Sequence, residues 1–74
     1  MAEPKDYHAL VKNILKAELK RKGVSYRELA ERLAGIGAHE TERNIANKIS
    51  RGGFSAAFFV QCLDVIGASR VDLG

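Results

Sequence analysis

The chain has 74 residues, a formal net charge of +3, 46% hydrophobic and 28% charged residues, the profile of one small soluble globular domain and not of a disordered tail or a two-domain protein. A pI of about 9.3 is modestly basic, so charge alone supports nucleic-acid binding only weakly. No apolar run has membrane-spanning length, Glu3, Pro4, Lys5 and Asp6 interrupt any secretory pattern, and the single cysteine, Cys62, cannot pair internally; no membrane and a reducing cytoplasm are expected.

In chain order, the first helix is predicted over 6–22. Tyr7, Leu10, Val11, Ile14, Leu15 and Leu19 make its apolar stripe, and Lys12, Lys16 and Lys20 ride the other side at i, i+4 spacing. Lys20, Arg21 and Lys22 sit at the negative end of the helix dipole before Gly23 ends it. The second helix, 26–34, opens with a capping box of Ser25 and Glu28 and a hydrophobic staple of Val24 and Leu29. Leu29, Ala30 and Leu33 form its buried face with Tyr26 on the edge, and Gly35 and Gly37 around Ile36 stop it.

The third helix is predicted over 42–51, with Thr41 as its N-cap and Gly52-Gly53 as its stop. The fourth covers 56–66, opened by Ser55 and stapled by Phe54 and Phe59. Only Gln61 and Asp64 interrupt its run of Phe58, Phe59, Val60, Cys62, Leu63, Val65 and Ile66, so a centrally buried helix is expected. Gly67 closes it, and Ser69 with Asp72 is placed to cap a short turn over 70–73. Period-two alternation and hairpin turns are missing, so the fold class is all-α, with four to five short helices in one domain spanning 1–74.

The third helix, within TERNIANKISRGG, is the informative one. At about 100° per residue, Ile45 and Ile49 mark a narrow buried stripe, with Ala46 on its flank and Glu42 near the buried side in the first turn. Opposite lie Arg43, Asn47 and Arg51, with Asn44 and Ser50 beside them and Lys48 toward the edge. Solvated helix faces are usually built from Glu and Lys; this one has guanidiniums and amides and no carboxylate. Arg offers a bidentate fork to guanine, Asn pairs bidentately with adenine, and Lys or Ser reaches phosphates. Asn also lowers helix propensity and gives a merely solvated face no advantage.

A capped short helix, a glycine-bearing turn and a polar-faced helix follow the helix-turn-helix plan. GVSYRELAERL resembles the first helix of phage-repressor-like (XRE-type) helix-turn-helix domains, NKISRG resembles the end of their recognition helix, and CLDVIGASRVDL resembles their apolar fourth helix and following turn. The resemblance covers about residues 23–73 and implies a lambda-repressor-like helix-turn-helix fold and a small bacterial or phage transcriptional regulator that binds double-stranded DNA. The 41–58 stretch also resembles the core of a small bacterial family of unknown function. Two departures stand out. AGIGAHE between Leu33 and Thr41 is longer than the usual turn, and Tyr26 occupies the place where such domains often carry a phosphate-contacting Gln, which shifts that role to Arg27.

The nucleic-acid-binding residues expected are therefore Arg43, Asn44, Asn47, Lys48, Arg51 and Arg27, with the first five on the reading helix and Lys48 and Arg51 taking more of the phosphate contact. A homodimer on two half-sites is expected, because one short helix reads few base pairs. No enzymatic activity, cofactor, metal or small-molecule substrate is expected. His8, His39 and Cys62 lack metal-ligand spacing, Cys62 reads as a core residue, and Gly52-Gly53 follows a helix rather than a strand. Two rival readings are a protein-interaction module on the same scaffold and RNA binding through the Lys-rich first helix; scarce exposed aromatics argue against the second.

Overall fold

Each helix begins where a side-chain oxygen accepts from one of its first free N–H groups. In the computed structural model, which describes residues 6–73, these helices are α1 (Tyr7–Lys22), α2 (Tyr26–Ala34), α3 (Glu42–Arg51) and α4 (Ala56–Val65). Asp6 accepts from the Ala9 N–H at 3.1 Å, Ser25 from Glu28 at 3.2 Å, Thr41 from Asn44 at 3.0 Å and Ser55 from Phe58 at 3.1 Å. Asp6 is thus the cap of α1 rather than its first residue, and α4 ends one residue early, with Ile66 in the cap position. Glu3, Pro4 and Lys5, which bear on the secretory reading, lie outside the described residues.

The fold is all-α among the described residues, and its core draws on every helix. Leu15 and Leu19 of α1, Leu29 and Leu33 of α2, Ile45 and Ile49 of α3, and Phe58, Cys62 and Leu63 of α4 are buried together. α3 and α4 each rest on both α1 and α2. Both staples form: Val24 and Leu29 are buried, and the Phe54 and Phe59 rings stack with centroids 6.0 Å apart.

Two expectations about the C-terminal third are corrected. α4 is not buried all round: Phe59 and Val65 are half-buried and Val60 is 60% exposed. Val60 lies about 200° round the helix from Cys62, and α4 has neighbours on one side only. The short turn over 70–73 is absent; residues 68–73 are non-helical. One turn offers few hydrogen bonds for the backbone order it requires, and this segment is held instead by burial of Ala68 and partial burial of Val71 against the core.

The long connection between α2 and α3 has two parts. Its first prolongs α2: Gly35 keeps right-handed helical angles, the Gly37 N–H donates to Ala34 at 3.0 Å and the Ala38 N–H to Leu33 at 2.9 Å. Gly37, with φ +82°, reverses the chain there, a conformation that costs an L side chain but not glycine. The second part, 38–41, is loop.

At the other end of α3, Gly52 is buried with φ +68°, and its Cα faces the backbone of α1. A Cβ there would collide with the His8 carbonyl oxygen and stand 3.0 Å from its carbon. Only glycine lets the end of α3 lie this close to the start of α1, which fixes where the outer face of α3 ends.

Candidate functional site

α3 turns Ile45 and Ile49 fully inward, which leaves Arg43, Asn44, Asn47, Ser50 and Arg51 exposed on its outer side. Asn44, Asn47, Lys48 and Arg51 line an open cleft of about 280 Å³, closed at one end by Gly53 of the turn that follows. Four of the six residues expected to bind nucleic acid therefore meet on one surface. Arg43 stands on the same exposed side, one turn nearer the start of the helix than Asn47, and does not line the cleft. Arg27 does not line it either; it is exposed in the first turn of α2, with its Nε 3.8 Å from Glu31.

The electrostatics separate α3 from its neighbours. Arg21 holds Glu18 at 2.9 Å, Arg27 faces Glu31, and Arg32 lies 3.9 Å from Glu28. Such exposed pairs contribute little to stability, but they occupy the guanidiniums of α1 and α2. Arg43 and Arg51 have no carboxylate within 4.0 Å among the described residues. Glu42, expected near the buried side, is exposed in the first turn, where it answers the positive end of the α3 dipole.

Lys48 sits differently from the other expected residues. It is half-buried, its ammonium pairs with Glu40 of the long connection, and it stands 4.7 Å from the centroid of the Phe58 ring. Lys48 thus ties the loop and α4 to α3 while it also lines the cleft. The pair reaches as far as Cys62. Burial pushes that thiol up from 9.0 to about 12, with Lys48 lowering it and Glu40 raising it by smaller amounts. Cys62 is fully buried and stays a protonated core residue at neutral pH.

Sequence reasoning missed Glu40 and Gly53. Glu40 and Lys48 are eight residues apart across a loop, so no helical period links them, and Gly53 reads only as a helix stop. Among the described residues no group of His, Cys, Asp or Glu is placed to hold a metal ion, and no helix is long and apolar enough to cross a membrane.

Residues 7–71 match the family model described as a domain of unknown function, DUF6471. The chain belongs to this family. The match takes in all four helices and the non-helical segment as far as Val71, so every residue that lines the cleft lies within the family's domain. No curated protein matches the chain, and no solved structure does.

Proposed function

We propose that this DUF6471 domain binds double-stranded DNA on a helix-turn-helix plan, α3 being the helix that enters the major groove, and acts as a small cytoplasmic transcriptional regulator. The observation that carries the reading is the outer face of α3: two guanidiniums without a carboxylate partner among the described residues and two exposed amides with no acid among them, on a domain whose other helical arginines are paired. The cleft adds an orientation. It runs along α3 from Asn44 in the first turn to Gly53 beyond the carbonyl end; the amides of Asn44 and Asn47 suit base edges, and Arg51 offsets the negative end of the dipole. Arg43, near the amino end, suits a guanine edge or a phosphate. An α3 of 10 residues is about 15 Å long and reads few base pairs, so two copies on half-sites about one DNA turn apart complete the proposal.

A protein-interaction module is the second reading, favoured by the exposed Val60 and the 49% exposed Ile36. Selection of bound sequences from a random duplex pool decides between them. Arg43→Ala and Asn47→Ala are expected to relax the selected sequence at separate positions and to weaken binding by about 1–3 kcal/mol for each base contact, with melting unchanged. A chain that selects a sequence but is indifferent to both substitutions does not read DNA with α3. A chain that binds no duplex at low salt favours the protein-interaction module.

A further inference from the structure

α1 carries a cationic surface that the α3 face does not account for. Lys12, Lys16 and Lys20 leave the helix one after another about 6 Å apart along its axis. Lys16 and Lys20 are exposed and Lys12 is half-buried. Among the described residues none of the three has a carboxylate partner; the helix's one acid, Glu18, lies on the other flank and is held by Arg21. Like charges at i, i+4 destabilise a helix. Lys20, in the last turn, has the dipole to favour it, but Lys12 and Lys16 stand too far up the helix for that. The C-terminal segment does not cover this row. Asp72 and Leu73 share a groove with Leu10, Asn13, Ile14, Ala17 and Glu18, none of them a lysine of the row.

The close approach of Gly52 to the His8 carbonyl ties the start of α1 to the end of α3. Lys12 follows His8 by one turn, so the row starts near the Arg51 end of the α3 face and runs on along α1. We infer that Lys12, Lys16 and Lys20 are a second track for the phosphodiester backbone of the bound duplex, continuous with the α3 face. The inference takes its ligand from the DNA-binding reading above, while the geometry of the row stands apart from it. Long lysine stems act as point charges that follow a strand without reading bases, so the track raises affinity for every duplex and leaves selectivity to α3.

The test measures binding of the full chain to a non-specific duplex across a salt series. The wild type is compared with a Lys16→Gln/Lys20→Gln variant and an Asn47→Ala/Arg51→Ala variant. Lys12 is left in place because its stem is partly packed. Each lost phosphate contact flattens the plot of log affinity against log salt by about 0.9, so the lysine variant is expected to lose about 1.8 of the slope. Its selected sequence should not change, and Lys16→Arg/Lys20→Arg should keep the slope. If the lysine variant matches wild type while the α3 variant binds less, the track is overturned and the α3 reading stands. If the lysine variant loses slope while the α3 variant does not, the track stands and Arg51 makes no phosphate contact; α3 is then overturned as the reader only if the α3 variant also keeps the wild-type selected sequence. A wild-type chain that binds no duplex overturns both.

Discussion

Replacing Gly52 with alanine tests the junction between α1 and α3, and Gly23 supplies the control. Both glycines have φ +68°, but a Cβ at Gly23 meets nothing within 4 Å, whereas at Gly52 it meets the His8 backbone. The left-handed conformation costs an alanine about 1–2 kcal/mol at either site. Alanine also stiffens the unfolded chain, which returns about 0.4–1 kcal/mol at both. Gly23→Ala is therefore expected to destabilise by about 1 kcal/mol. At Gly52 the collision is with backbone, which no rotamer change relieves, so α1 and α3 must move apart; overpacking of this kind costs a further 1–3 kcal/mol or so. For a chain of this length, total stability is about 4–11 kcal/mol, so Gly52→Ala removes a large share of it. Urea denaturation followed by circular dichroism measures both variants. If the two fall within about 0.5 kcal/mol of each other, the close approach is not there.

The brace between Glu40 and Lys48 is expected to show a coupling of about 0.5–1 kcal/mol in a double-mutant cycle of Glu40→Gln and Lys48→Ala, the partial exposure of both keeping it small; additive losses would mean the pair does not hold the loop. Ser25→Ala should lower stability by about 0.5–2 kcal/mol through loss of the α2 cap, and an unchanged urea midpoint would place the start of α2 elsewhere. Cys62 should resist alkylation at pH 8 in the folded chain and react on unfolding; fast labelling of the native protein contradicts its burial. Because burial raises its folded value from 9.0 to about 12, its contribution to stability is whole below pH 9 and is lost as pH climbs from there toward 12, when the unfolded thiol ionises first. A stability profile over that range no steeper than that of Cys62→Ala would refute this.

The helix starts were legible because a cap is a local event. Ser25, Thr41 and Ser55 act on an N–H three residues away, and no tertiary contact intervenes. The buried stripes of α2 and α3 were legible for the same reason, since Leu29, Leu33, Ile45 and Ile49 mark one narrow side of a helix whose other side is polar. In α4 that contrast is missing. Its apolar circumference tells nothing about how many neighbours it has, and Val60 was assigned to a core that reaches only the far side of the helix. The Lys48–Glu40 pair was not legible because the partner arrives by the path of a loop, and the position of Glu40 is set by the reversal at Gly37, not by the period of α3. Arg43, Asn44, Asn47 and Arg51 were placed outward by angle alone, and their exposure follows from the burial of two isoleucines.

The carboxyl end of α4 has no cation of its own: its last turn holds no Lys, Arg or His. Arg32 of α2 reaches across instead and donates to the Val65 carbonyl at 3.2 Å. One guanidinium thus serves two helices, since it also faces Glu28 within α2, and the last turn of α4 depends on a side chain 33 residues upstream. Fraying of α4 from that end strips Arg32 of its acceptor, and fraying of α2 bares the Val65 carbonyl. In hydrogen-exchange terms the two ends are expected to open together, the amides of Cys62 to Val65 gaining and losing protection with those late in α2, and a peptide cut to α4 alone would lack the guanidinium that bonds Val65.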